Sequence, residues 1–336
     1  MMSTSNNDEG PKVIIWILTG RCNLACEHCY AAKFGVTKEV GPEQAERIVR
    51  EAAGTGVEHI GFSGGELLLR PDFLDLVDVV TRIGISTSMI TNGTTMTPDA
   101  AKRLAANGTL VVFSVDGADS ELHDRVRGAG MWDRLMEGIK TVREAQARFG
   151  TVMAVNKFNI PDVEGVIEMT KQMGGESAVL IPVMPTGRAT SELSPDAREW
   201  MTAVESAGKS AERMRFPVSL WCSPFTSLIS DSSYLFSDCC RMDEGEINIS
   251  PSGEVLLCDI CDIALSNIVE KGLYGAWREQ EESSLVAEMQ SPTLSGACLD
   301  CPLNDSCRGG CYARAALING DLYSPDPLCP KVAGLI

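Results

Sequence analysis

"TGRCNLACEHCY", residues 19–30, sets Cys22, Cys26 and Cys29 at C-x3-C-x2-C spacing, with Tyr30 directly after the last thiol. A tetrahedral zinc site wants four protein ligands, and an iron–sulfur cube held by protein alone wants four cysteines. Three thiols with no fourth beside them point to a cluster that leaves one iron open to a small molecule. The stretch follows the apolar run "VIIWIL" (13–18), so the thiols fall in a loop after a first strand.

Beyond that strand, short apolar runs alternate with helix-period stretches. The pattern predicts strands at 13–18, 57–62, 86–91, 110–115, 151–155 and 178–182. Helices are expected between them at 42–54, 71–83, 97–107, 131–148 and 161–173, several opening on Pro, Asp or Thr-Pro. Strands joined by helices imply parallel crossovers, hence a wound sheet or open barrel of the α/β class. The turns "TGRC", "SGGE", "TNG" and "SVDG" each follow a predicted strand, the rim where active sites gather in such folds.

After "MPTGRATSELSP" the rhythm changes. A helix through "PDAREWMTAVESAGKSAERM" leads to a short strand near 217–221, and Gly, Pro, Ser and Cys then dominate. The expected organisation is an N-terminal tail at 1–12, a barrel unit at 13–187, a bridging region at 188–235 and a Cys-rich domain at 236–336. The 336 residues suffice for one barrel-sized core and a smaller one.

A net charge of −17 argues against binding a phosphate backbone, which needs clustered Lys and Arg, so no nucleic-acid partner is expected. The longest apolar run is too short for a membrane span and the N-terminus carries no export pattern, so a cytoplasmic location without membrane attachment is expected. Thirteen cysteines are many for such a chain, and an odd total defeats complete pairing. Three lie in the opening stretch and ten lie after residue 221, a grouping that suits metal clusters.

The opening motif resembles the signature of the radical S-adenosylmethionine (radical SAM) superfamily. The resemblance implies a partial (β/α)6 TIM-like barrel in which Cys22, Cys26 and Cys29 hold a [4Fe-4S] cluster and SAM chelates the open iron. One-electron cleavage of SAM then gives a 5′-deoxyadenosyl radical that abstracts hydrogen from a substrate. In "FSGGE" (62–66), Gly64 and Gly65 allow close backbone approach and Glu66 offers an acceptor to the SAM amino group. The family pattern also places Asn92 of "TNG", Ser114 and Asp116 of "SVDG" and Tyr30 around SAM, with Ser114 and Asp116 near the ribose and Tyr30 near the adenine. In "HDRVRG" (123–128), Arg127, or secondarily Arg125, is the expected partner of the SAM carboxylate.

The C-terminal string, Cys240-x12-Gly253-x4-Cys258, then Cys298-x2-Cys301-x5-Cys307-x3-Cys311, then Cys329, resembles the SPASM extension of radical SAM enzymes. That resemblance implies two auxiliary clusters, usually [4Fe-4S]. Cys298, Cys301, Cys307 and Cys329 would hold the outer one; Cys240, Cys258 and Cys311 would hold the inner one. Cys222, Cys239 and Cys261 all stand available as the fourth inner ligand, with Cys261 taken as the working choice.

Within the superfamily, "SGAC", "DSCRGGC", "DPLC" and "PTGRA" look like the maturases of the mycofactocin and pyrroloquinoline-quinone peptides. That likeness implies decarboxylation, cross-linking or dehydrogenation of a ribosomal peptide, with a separate small leader-binding protein and an external electron donor such as flavodoxin or ferredoxin. As the runner-up, "RGGCYARA" and "GDLYSPDPLC" resemble the heme and heme d1 synthases, which act on tetrapyrrole side chains; Arg188 is then the candidate for an anionic propionate. A non-catalytic iron–sulfur electron-transfer protein would need neither "SGGE" nor "SVDG".

Overall fold

The structure is a computed structural model and describes residues 10–36, 38–237 and 245–336. Six strands fall close to where the pattern puts them: β1 (Val13–Thr19), β2 (His59–Gly64), β3 (Ser86–Thr91), β4 (Leu110–Ser114), β5 (Phe149–Val155) and β6 (Ala178–Pro182). Between them run α1 (Pro42–Glu51), α2 (Phe73–Arg82), α3 (Pro98–Ala106), α4 (Ser120–Arg127), α5 (Met131–Glu144) and α6 (Val163–Gln172). Helix α4 has no counterpart in the sequence reading. It is short, and Asp119 caps it by accepting a hydrogen bond from Leu122 N.

The sheet is larger than a six-stranded barrel. After α7 (Ala197–Met214), β7 (Val218–Leu220) and β8 (Leu235–Ser237) extend the parallel array beyond β6. On the opposite edge, β9 (Glu246–Ile249) pairs in parallel with β1, and β10 (Glu254–Leu256) and β11 (Ala264–Asn267) add antiparallel strands. The strand order is β11-β10-β9-β1-β2-β3-β4-β5-β6-β7-β8. The Cys-rich half thus begins by joining the barrel sheet next to the strand that carries the cysteine loop. It ends in α8 (Ile268–Glu281), α9 (Ser284–Gln290), α10 (Asn304–Cys307) and α11 (Tyr312–Asn319).

β1 is rich in β-branched and aromatic residues, and Ile14, Trp16, Ile17 and Leu18 are fully buried, as a central parallel strand requires. Trp16 meets Phe62 at 6.3 Å, and Phe62 meets Phe73 edge-on at 5.6 Å, which ties α2 to the sheet. Arg70, buried beneath the rim, donates to Leu18 O and Val40 O and pairs with Asp72. It pins the end of β1, where a register shift between Ile17 and Thr19 turns the chain into the cysteine loop. Among the described residues no helix is long and apolar enough to cross a membrane.

Candidate active site

Three turns at the C-terminal rim of the sheet interlock around the cysteine loop. The loop leaves β1 through Thr19 and Gly20, whose hydroxyl and amide both donate to Glu39. The Gly-Gly-Glu turn lies directly against it: Gly65 N donates to Thr19 O and Glu66 N donates to Arg21 O, both at 2.8 Å. This contact explains the glycines. A Cβ on Gly65 would stand 1.9 Å from Arg21 O, and one on Gly64, which has φ +124°, would stand 2.4 Å from Thr19 O. The pair lets two backbones touch, which no side chain would permit.

Glu66 is wholly buried and turns inward. Its carboxylate accepts from Thr91 Oγ1 at 2.9 and 3.0 Å and from Asn92 N at 3.0 Å. Burial raises its pKa, and these donors work against that rise. Asn92 in turn donates to Asn23 Oδ1 at 3.0 Å and lies 3.9 Å from Cys22 Sγ. "SGGE" and "TNG" therefore form one hydrogen-bonded unit with the cysteine loop.

The opposite side is built on charge. Asp116 is fully buried; it accepts from Arg127 Nε at 2.6 Å and Ala154 N at 2.9 Å, and lies 3.5 Å from His28 Nε2. Burial pushes its carboxyl up, but Arg127, His28 and His123 outweigh that and hold it low. Both oxygens of Asp116 are thus engaged by protein. Arg127 Nη1 comes within 4.0 Å of Cys26 Sγ. Arg125 points out to the surface and stacks on Phe158 at 3.7 Å, so Arg127 is the arginine that faces the thiols. Burial raises the thiols of Cys22 and Cys26, with Arg127 opposing the rise at Cys26. Bound iron favours the thiolate and reverses that balance.

Ser114 is buried at the end of β4, and the Tyr30 hydroxyl lies 3.4 Å from Ser63 Oγ. "PTGRA" closes the loop from the far side. Arg188 donates from its backbone to Cys29 O at 3.1 Å and from Nε to Cys26 O at 2.9 Å. Gly187, with φ +68°, leaves no room for a side chain, since a Cβ would be 2.3 Å from Cys29 O.

Burial also pushes His28 and His123 down to about 4, so both are neutral near pH 7. For His123 the linkage has a clear sign: the unfolded residue binds a proton that the folded one refuses. Its contribution is intact above about pH 6.5 and is lost as pH falls toward 4. The apo-protein should therefore lose about 2 kcal/mol through this residue between pH 7.5 and 5. Urea unfolding of wild type and His123→Gln at both pH values tests this: the loss should be smaller in the variant, and an equal loss in the two would refute it.

The remaining described thiols form two groups. Cys298, Cys301, Cys307 and Cys329 line one small cavity with Phe225, Leu303 and Lys331. Cys222, Cys258, Cys261 and Cys311 belong to a separate buried cluster with Met184, Ile260 and Ala313. Cys239 and Cys240 lie outside the described residues. Among the described residues no three His, Cys, Asp or Glu side chains converge as a single metal ion requires; a cube spreads its thiolates over separate irons. Sequence reasoning gave no role to Glu39, Thr91, Asn23 or the Arg314–Asp326 pair, which brace these loops: Glu39 lies outside every motif, and the others sit within quoted motifs at positions whose spacing does not reveal their partners along the chain.

The radical SAM superfamily model matches residues 16–170. The chain is 30% identical to the mycofactocin maturase MftC of Mycobacterium tuberculosis, over 96% of this chain and 83% of that one. It is 28% identical to an AdoMet-dependent heme synthase of Methanosarcina barkeri, over 95% and 96% respectively. Among solved structures, SuiB of Streptococcus suis superposes with a TM-score of 0.77 at 20% identity over 96% of this chain and 77% of that one. The anSMEcpe structure with bound AdoMet and a peptide superposes with a TM-score of 0.75 at 20% identity, over 97% and 96%. The thiol loop, the partial barrel and the Cys-rich half agree with that similarity along the whole length, and the chain belongs to the radical SAM superfamily as an enzyme of the SPASM type.

Proposed function

We propose that the protein oxidatively modifies a side chain of a ribosomally made peptide, by decarboxylation, cross-linking or dehydrogenation. Residues 13–187 carry the SAM site, and 236–336, together with Cys222 of the bridging region, carry two auxiliary clusters. Bound at Cys22, Cys26 and Cys29, a [4Fe-4S] cluster with SAM supplies a 5′-deoxyadenosyl radical that takes hydrogen from the substrate. Gly64 and Gly65 hold the Glu66 turn against the thiol loop, and Asn92 fixes that loop at Asn23 and Cys22. Asp116 positions Arg127 beside Cys26, where its guanidinium is placed for the SAM carboxylate. Tyr30 and Ser114 complete the rim.

The observation that carries the peptide reading is the state of the basic side chains at this rim. Arg21 pairs with Glu39, Lys33 with Asp262, Arg127 with Asp116, and Arg188 is bonded to Cys26 O. Arg21 and Lys33 are spent on Glu39 and Asp262 and Arg127 is assigned to SAM, which leaves Arg188, its Nε already on Cys26 O, as the one arginine named for tetrapyrrole propionates, whereas a peptide needs none of them. Relatives support the same direction: SuiB is solved bound to precursor peptide SuiA, and anSMEcpe with a peptide. The tetrapyrrole reading is second, supported by the match to nearly the whole heme synthase of M. barkeri.

The test is SAM turnover by anaerobically reconstituted protein with a strong reductant. A mycofactocin-type precursor peptide with its leader-binding partner should raise 5′-deoxyadenosine output and change the peptide's mass. Stimulation by a propionate-bearing iron tetrapyrrole, with no response to peptide, would move the assignment to the second reading.

For the inner auxiliary cluster we assign Cys222, in place of Cys261, to join Cys240, Cys258 and Cys311. Cys222 holds a left-handed backbone at φ 57°, which a non-glycine residue adopts at a cost of about 1–2 kcal/mol. Its thiol is coupled to Cys311 by a hydrogen bond; this bond and burial push Cys222 well up, while at Cys311 the bond outweighs burial and leaves its thiol lowered. Cys222→Ala should lower bound iron by about four of about twelve atoms per chain, and Cys261→Ala should leave it unchanged. The reverse pattern in an iron assay would restore Cys261.

A further inference from the structure

Arg314 is 1% exposed and sits on α11, one turn beyond Cys311. Its Nε donates to Asp326 Oδ1 at 2.8 Å, and its Nη2 donates to Asp326 Oδ2 at 2.5 Å and to Cys222 O at 2.7 Å. The same carboxylate accepts from Cys311 N and Leu328 N, and Asp326 N donates to Gly309 O. One ion pair therefore joins the Cys222 loop, the Cys307–Cys311 turn and the segment bearing Cys329. The guanidinium nonetheless has a buried nitrogen without a partner, Nη1.

That orphan has a direction. In a planar guanidinium, Nε and one terminal nitrogen on the same edge take the carboxylate, so the other terminal nitrogen faces away from it. Nη2 turns its second N–H to the Cys222 carbonyl, and Nη1 shares the edge that faces Cys222. Ser223, the next residue, is also fully buried with an unpartnered hydroxyl. A buried donor without an acceptor is costly, more so when charged, and arginine cannot escape by losing its proton. The place calls for an anionic, acceptor-rich body beside Cys222 and Cys311, and a thiolate-bound iron–sulfur cluster is one.

We propose that Arg314 Nη1 donates to a sulfur of the inner auxiliary cluster and so holds that cluster's reduction potential up. The proposal rests on the reading of Cys222, Cys258 and Cys311 as ligands of that cluster. A donor and a positive charge beside the sulfurs stabilise the reduced, more negative state, and such contacts are among the determinants of cluster potential. Arg314 is then a positioning and tuning residue that makes this cluster the easier acceptor for the electron left after hydrogen abstraction.

The experiment is an EPR-monitored redox titration of the full reconstituted chain, with Cys222→Ala used to identify the inner cluster's signal. Arg314→Lys keeps a charge for Asp326 and thereby the fold, but removes Nη1; Arg314→Gln removes the charge as well. The inner midpoint should fall by a tenfold change in the reduced-to-oxidised ratio, about 59 mV for one electron, in the Lys variant and further in the Gln variant. The other two clusters should keep their midpoints. An unmoved inner midpoint in an iron-complete Arg314→Lys protein overturns the proposal while leaving the ligand assignment standing. A wild-type chain that binds iron for only two clusters overturns the inner site itself, and this inference with it.

Discussion

Cys26→Ala should abolish reductive SAM cleavage, with 5′-deoxyadenosine output falling by roughly a thousandfold or more because the cluster loses one of three protein ligands. The structure gives the loop no substitute thiol: Cys22 and Cys29 are its other two, and the remaining described cysteines all lie in the C-terminal half. Cys26 is also the most buried of the three, set against Arg127, with its carbonyl held by Arg188. The side-chain truncation leaves that backbone bond in place, so the loop keeps its shape and the loss falls on ligation. Wild-type output from the variant would sink the assignment of the loop.

Gly65→Ala should be nearly as damaging, for a steric reason. The new Cβ would sit 1.9 Å from Arg21 O, and the obstacle is backbone, so no side chain can swing aside. Relief requires parting the Gly-Gly-Glu turn from the thiol loop, which breaks Gly65 N to Thr19 O and Glu66 N to Arg21 O. Overpacking at about 1–3 kcal/mol and two hydrogen bonds at about 1 kcal/mol each give a loss of about 3–5 kcal/mol. SAM binding should weaken in parallel, read by equilibrium dialysis alongside urea unfolding. Gly54→Ala is the control: it has φ +80° but nothing within 4 Å, so it should cost about 1 kcal/mol and leave SAM binding alone. Equal effects at the two positions would show that the close approach to Arg21 O is not what makes Gly65 hard to replace.

The barrel strands were readable because each is a compact apolar run bounded by turn residues, and parallel order follows from the intervening helices. Helix α4 was not, because it is short and carries Leu122 and Val126 among charged neighbours, so no apolar face stands out. β9, β10 and β11 are three or four residues long and sit among Gly, Ser and Cys; β9 finds its partner in β1, most of the chain away, and β10 and β11 then pair onto β9 and β10. At the site, spacing exposed the cysteines and the turns but not orientation. Asp116 and Glu66 both turn their carboxylates to protein groups that the spacing does not reveal. Arg314 and Asp326 come from a helix and a loop and share no periodic signal, so only the folded chain brings them together.

The pairing of β9 with β1 also constrains how the protein is made. On a ribosome adding about 5–20 residues per second, "VIIWILT" emerges early and waits on the order of tens of seconds for the strand that covers its second edge. Throughout that interval the nascent barrel presents an unsatisfied apolar ladder of the kind that recruits other chains. Slower translation lengthens the exposure and slower initiation dilutes it. Soluble yield should thus respond to elongation rate and to chaperones that shield a strand edge, even before any iron is delivered.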